Sequence, residues 1–244
     1  GYEIGYDMYP FTYGASTISV ILPSWYLKLS KEERRKPFNK FKLKLIINIT
    51  KKLLGIDFSD LVISYIEGHP EYEGRTVAEI AKSEDTNPFD MYIKLVEMSE
   101  GKGRIMLGRY YNEDIIKKLM ADDLSIYMTD AWYEENGTQN GGTFQAFPLF
   151  LEKTKEHKFN LEDTIHKMTG ATADRFQIPN RGYIKEGYAA DITIFNYDEI
   201  SVNKADPSET PKGIKYVLIN GQIVLANNEY LNIKNGQLIT KTRS

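Results

Sequence analysis

The sequence predicts an α/β fold with a helical segment inserted near its start and antiparallel strands at its end. Three observations carry that reading. Residues 103–130 form a strand, helix and strand run, "GRIMLGRYY", "NEDIIKKLMA" and "LSIYMTD", whose short connections imply parallel pairing through a right-handed crossover. From Leu22 to about Gly103 the pattern is irregular and helical. From Gly182 the apolar period changes from helical to alternating.

The elements follow in order. "GYEIGYDMYPF" (1–11) alternates like a strand and meets Pro10. A domain seldom opens inside an element, so the chain is expected to begin in the middle of a fold. Residues 12–103 read as the insertion. Between Lys28 and Lys52 it carries ten basic and two acidic residues, with Phe38 and Phe41 interleaved, a pattern that also suits single-stranded nucleic acid. A solvated, lysine-rich helical face is the simpler account, and nucleic acid is not an expected partner. In "GRTVAEIAKSEDTNPFDMYIKLVEMSEG" two helices are expected, capped by Thr76 and by Asn87 before Pro88, with Gly101 beyond the end.

In the strand, helix and strand run, Asn112 is placed to cap, Ile115, Ile116, Leu119 and Met120 to line one face, and Glu113 and Asp114 to sit at the positive end of the helix dipole. "FQAFPLFLEKTKEH" and "NLEDTIHKMTGATADRF" read as helices, the second capped by Asn160 and stopped near Gly170. The alternating segments from 182 onward are joined by Asn220-Gly221 and Asn235-Gly236, each a two-residue hairpin signal.

Composition excludes several function classes. The 244 residues carry 31 basic and 34 acidic side chains, a net charge of −3, so no global field favours nucleic acid or an anionic surface. There is no cysteine, hence neither disulfide nor thiolate nucleophile. No apolar run reaches membrane-spanning length and the first residues lack signal-peptide character, so a cytoplasmic protein without a membrane partner is expected.

One stretch, "SIYMTDAWYEENGTQNGGTF" (125–144), sets Asp130 where an apolar strand ends and a glycine- and asparagine-rich loop begins. Its "MTDA" (128–131) and "GTF" (142–144), together with "DMYPFTYGAST" (7–17), "GHPEYEGRTVAEIA" (68–81), "HKMTGATADRF" (166–176), "NRGYIKEGYAADITIF" (180–195) and "GIKYVLINGQIV" (213–224), resemble the C-terminal portion of the D-aminoacylase (N-acyl-D-amino-acid deacylase) branch of the amidohydrolase superfamily. The resemblance implies the C-terminal part of a metal-dependent (β/α)8 barrel with a helical insertion, followed by antiparallel strands of a small β-sandwich. Residues 1–11 would be barrel strand seven, 12–103 the insertion, 104–179 the barrel strand-helix-strand and closing helices, and 180–244 part of the sandwich.

By the same resemblance Asp130 is both the catalytic carboxylate and a metal ligand, and the complete protein holds Zn²⁺ or another divalent metal that acidifies a bound water. The chain has only His69, His157 and His166, with no His-x-His pair, and all three read as surface or structural. The remaining ligands are expected upstream of Gly1, so that this chain alone binds none. The family carries a His-Pro-Arg whose arginine grips the substrate carboxylate, whereas the corresponding place here holds Gly137-Thr138-Gln139. Phe11 stands where the family has a tyrosine. Ser16 and Gln139 are the expected substrate-binding residues, Thr17 a further donor, and Asp191 a structural carboxylate at a strand start.

The expected function is hydrolysis of a C–N amide bond in an N-acyl amino acid or related amide, with the missing arginine favouring a neutral substrate. The competing reading is a non-catalytic association module. The expected partners are a small-molecule amide and either the N-terminal half or a second copy.

Overall fold

Two strand pairs, the first strand with the fifth and the second with the fourth, join strands that are not neighbours in the sequence. In the computed structural model, which describes residues 4–109 and 111–240, the strands are β1 (Tyr6–Met8), β2 (Gly14–Thr17), β3 (Leu61–Tyr65), β4 (Arg104–Leu107), β5 (Ser125–Tyr127), β6 (Ile192–Phe195), β7 (Ile214–Ile219), β8 (Gln222–Ala226) and β9 (Glu229–Tyr230). The helices are α1 (Ser24–Leu27), α2 (Lys31–Arg35), α3 (Pro37–Leu54), α4 (Val77–Ser83), α5 (Pro88–Met98), α6 (Glu113–Ala121), α7 (Gly142–His157), α8 (Leu161–Met168) and α9 (Gly170–Phe176). The chain divides into two units. Unit 1 comprises Gly1–Phe11, Glu113–Trp132 and Gly141–Ser244, and unit 2 comprises Thr12–Asn112 and Tyr133–Asn140.

Unit 2 is built on an antiparallel sheet of order β2-β4-β3, with Ile105 opposite both Ser16 and Ile63. The expected parallel pairing of the 103–111 strand with the 124–130 strand is therefore not formed. The alternating Arg104–Leu107 segment satisfies its backbone groups between β2 and β3 instead, and Ile105 is fully buried there. The helix signals hold. Thr76 forms a capping box with Glu79, and Asn87 accepts from the Asp90 N–H at 3.0 Å ahead of Pro88. Leu43 and Ile47 of α3, Tyr92 and Leu95 of α5, and Ile63 and Ile105 of the sheet share one core, where the Tyr92 hydroxyl donates to the Ile18 carbonyl at 2.5 Å.

In unit 1, β1 and β5 run parallel, with Tyr6 opposite Ser125 and Met8 opposite Tyr127. Of the apolar face expected on α6, Ile116 and Met120 are buried while Ile115 is exposed. The Phe150 ring of α7 stacks on Tyr127 with centroids 3.9 Å apart, and the buried Thr154 and Thr164 hydroxyls bond at 2.7 Å. Asn160 caps α8 and the helix stops near Gly170 as expected, where Thr169 leaves helical geometry (φ −127°, ψ −88°), but Gly170 also begins a further helix, α9. A Cβ at Gly170 would come within 2.6 Å of the Tyr183 ring, so the ring occupies the space that a side chain would need.

The terminal strands form one antiparallel sheet of order β6-β7-β8-β9. The Asn220-Gly221 hairpin joins β7 to β8 with both residues at positive φ, 48° and 80°. The second hairpin is absent: residues 231–240 carry no strand, and the Asn235 side chain instead donates to the Ile219 carbonyl at 2.8 Å. Residues 182–190 likewise form turns rather than strand.

Candidate functional site

β5 is buried along its whole length, and the chain emerges from it toward Asp130, which is exposed. Asp130 has φ +42°, a left-handed conformation that aspartate tolerates better than most side chains. A single such residue turns the chain from strand into loop. The C-terminal end of β1 lies alongside, held by the Met128 N–H to the Met8 carbonyl at 2.9 Å, and the buried Tyr9 and Phe11 rings follow it 5.9 Å apart. Asp130 thus lies just beyond the carboxyl ends of two hydrogen-bonded parallel strands.

The opposite end of β5 is fixed by two cations of the 166–176 segment. Lys167 Nζ donates to the carbonyls of Met120 (2.8 Å) and Asp122 (2.6 Å) and bonds the Ser125 hydroxyl at 3.0 Å. Burial lowers the Lys167 pKa, while Asp123, Asp122 and Asp163 pull the other way. Arg175 donates to the Leu124 carbonyl at 2.9 Å, and its guanidinium fills the place that a Cβ on Gly5 would take. Sequence reasoning missed both roles. Their only signal was that they fall within a family-like stretch.

The loop after Asp130 leaves unit 1 at Trp132 and returns at Gly141, and the Thr143 hydroxyl closes its base by donating to the Trp132 carbonyl at 2.9 Å. Its residues 133–140 belong to unit 2. β3 carries a register shift between Ile63 and Tyr65, and the carbonyl of the intervening Ser64 accepts the Thr138 N–H at 2.9 Å. Gly137 makes that approach possible. It has φ +83°, and a Cβ there would lie 2.2 Å from the same carbonyl oxygen.

Gln139 is spent inside this loop. Its amide nitrogen donates to the Glu134 carbonyl and its amide oxygen accepts the Glu134 N–H at 3.2 Å. These two bonds give Gln139 a loop-shaping role in the structure. The Glu134 carboxylate pairs with Arg104 Nε at 3.3 Å. Ser16 lies on β2 opposite Ile105, half-buried, and Thr17 contacts Ser19 through their hydroxyls at 3.3 Å.

The histidines do not converge. His69 pairs with Glu71 at 2.9 Å and stacks on Tyr72, His157 packs against Phe159, and His166 lies against Tyr183. Among the described residues, no three histidine, cysteine or carboxylate side chains cluster as a metal site. The described side chains do not by themselves fit a catalytic metal. Asp191 behaves as expected, accepting from the Asn220 N–H at 2.8 Å and pairing with Arg181, which also donates to the Asn220 side chain at 2.9 Å.

Residues 121–225, which include Asp130, match the model of the amidohydrolase family. D-aminoacylase of Alcaligenes xylosoxydans xylosoxydans is 24% identical over 185 residues, covering 74% of this chain and 37% of that protein. Over those 185 residues the chain is similar to D-aminoacylase. N-acyl-D-aspartate deacylase of the same organism is 32% identical over 72 residues, 29% of this chain and 14% of that protein. A crystal structure of D-aminoacylase superposes on 97% of this chain with a TM-score of 0.73 at 21% identity, covering 43% of that chain. N-acyl-D-glutamate deacylase from Bordetella bronchiseptica, solved with zinc and a phosphonate mimic of the tetrahedral intermediate, superposes on 89% of it with a TM-score of 0.66 at 20% identity, covering 39% of that chain. The chain spans less than half the length of these relatives.

Proposed function

We propose that this chain is the C-terminal portion of a metal-dependent amidohydrolase that cleaves the C–N bond of an N-acyl amino acid or related amide, with Asp130 as its catalytic carboxylate. The observation that carries the reading is the position of Asp130 just past β5, on the carboxyl side of a parallel strand pair and inside the family-matched segment. In barrel enzymes the reacting groups come from such strand ends. There an ionised carboxylate takes a proton from the attacking water as the C–O bond forms, then delivers it to the nitrogen as the C–N bond breaks. The carboxylate is regenerated and the amine leaves neutral.

The metal belongs to the complete protein, because the described residues offer Asp130 without a ligand cluster around it. Zinc in the solved N-acyl-D-glutamate deacylase supports that choice of ion. Ser16 is proposed as a hydroxyl donor to substrate. With Gly137-Thr138-Gln139 committed to the loop, no guanidinium replaces the family's carboxylate clamp at those three positions, and the reading favours a neutral amide.

The test uses the full-length protein, assayed on N-acetyl-D-amino acids and on matched neutral amides. Asp130→Asn should lower kcat by about a hundredfold or more while leaving the circular dichroism spectrum unchanged. Undiminished turnover removes Asp130 from the chemistry. Efficient turnover of the acids over the amides refutes the substrate preference and leaves the reaction class standing.

A further inference from the structure

Helix α3 is apolar on two opposite faces. Leu43 and Ile47 point into the core of unit 2. At 100° per residue, Phe38, Phe41, Leu45, Ile49 and Leu53 fall within about 120° of arc on the other side. These five are 73%, 68%, 52%, 52% and 79% exposed. A helix of a soluble unit ordinarily turns charge outward where this one turns phenylalanine, leucine and isoleucine. Contiguous exposed apolar surface of this kind marks a contact site.

The charges around that stripe have one sign. α3 contains five lysines and no acidic residue. Lys42 and Lys52 fall within the stripe's own arc, Lys42 with its ammonium 4.4 Å from the Trp25 ring. The 28–52 segment holds ten basic and two acidic residues in a chain whose net charge is −3, so its cationic character is local. Two copies meeting through this face would bring lysines against lysines. Single-stranded nucleic acid would use the two phenylalanines as stacking platforms and leave Leu45, Ile49 and Leu53 without a role. A bilayer with acidic headgroups satisfies both features at once. Aliphatic and phenyl groups enter the acyl boundary, and lysine stems lie along it with ammonium groups at the phosphates.

The geometry points to α3 as an interfacial helix that seats the protein reversibly on an anionic lipid surface. No described helix is long and apolar enough to cross a membrane. The stripe from Phe38 to Leu53 runs about 22 Å along the axis, enough for a helix to lie flat in the headgroup region.

The experiment is co-sedimentation of the complete protein with phosphatidylserine-containing vesicles and with pure phosphatidylcholine vesicles. Binding should require phosphatidylserine and fall with added salt. Lys52→Gln should weaken it about fivefold. Ile49→Ser combined with Leu53→Ser should weaken it at least about tenfold, with circular dichroism unchanged because both side chains are exposed. Absence of vesicle binding overturns the proposal, as does binding that neither variant alters. A stable dimer in sedimentation velocity that Ile49→Ser dissolves overturns it in favour of a second copy. RNA binding without vesicle binding, lost on Phe38→Ala and Phe41→Ala, overturns it in favour of nucleic acid.

Discussion

Unit 2 packs one large hydrophobic cluster around its own three-stranded sheet, whereas unit 1, built from more of the chain, buries its apolar residues around a two-stranded parallel pair and the helices beside it. The main hydrophobic cluster runs from Ile18 to Ile105 and lies wholly in unit 2. Unit 1 holds a parallel pair of three-residue strands and a four-stranded sheet, and it leaves Ile184, Ile194, Ile223 and Phe176 exposed. A two-stranded parallel ladder is too small to be stable by itself and normally sits within a larger, covered sheet. Both units leave apolar side chains exposed, unit 2 along α3, so the difference lies in how their sheets are covered.

The sharpest way to break that comparison is at Gly137, where unit 2 recruits a loop from far along the chain. Gly137→Ala places a methyl group on the Ser64 carbonyl oxygen at a φ that alanine resists, and the oxygen is backbone that cannot swing aside. A loss of about 2 kcal/mol or more is expected. Hydrogen exchange should show faster opening at Ile63–Tyr65 and Thr138, with β7 and β8 protected as before. Equal loosening of the terminal sheet would mean that the two units do not divide the chain as described.

How much of this was legible in the sequence follows the range of each signal. Thr76, Asn87 and Asn160 act on N–H groups three residues away, so their caps could be read locally, and Asn220-Gly221 needed only its own two dihedral angles. The partners of β4 could not be read. Its alternation says that one face is buried and nothing about which strands lie beside it. The loop bonds of Gln139 could not be read for a related reason, since they depend on how the chain turns between Glu134 and Gln139. The lysines of α3 suggested a solvated helix, and only burial on the Leu43 and Ile47 face showed that the phenylalanines point the other way. The place of Asp130 just past β5 was legible because a strand end followed by a polar loop is a local signal, while the role proposed for it comes from the family resemblance.

A pH titration sharpens the same contrast through one tyrosine in each unit. Burial raises the pKa of Tyr127 in unit 1 to about 12, and pushes Tyr92 in unit 2 upward further still. The phenol in the unfolded chain titrates near 10. Between pH 10 and 12 the folded state therefore keeps a proton that the unfolded state has lost. The stability that depends on a neutral Tyr127 is complete below pH 10 and is lost as pH rises through about 12. The loss due to Tyr127 should level off near pH 12 while that due to Tyr92 continues, followed by near-ultraviolet circular dichroism and tyrosinate absorbance. Tyr127→Phe should flatten that loss, at a cost near neutrality of about 1 kcal/mol for the bond to the Met120 carbonyl. An alkaline transition unchanged by Tyr127→Phe would assign it to another group.

The smallest effect separates two accounts of Asn235-Gly236 in unit 1. If the pair made a two-residue hairpin, Gly236 would need a positive φ and Gly236→Ala would be the damaging change. In the structure Gly236 is absent from the positive-φ glycines, and a Cβ on it would meet nothing within 4 Å. The work is done by Asn235, whose carbonyl accepts from the Asn220 side chain at 2.7 Å and whose side chain donates to the Ile219 carbonyl at 2.8 Å. Asn220 in turn meets Arg181 and Asp191, so the tail is tied to the turn that also fixes the start of β6. Asn235→Ala removes one of the two tail bonds, keeps the backbone carbonyl, and should cost about 1 kcal/mol, seen as faster exchange at Asn220 and Gly221. Gly236→Ala should be neutral or slightly stabilising, because alanine narrows the unfolded ensemble at a position that it can occupy without strain. The reverse ranking would restore the hairpin and remove the tie between the tail and the β7–β8 turn.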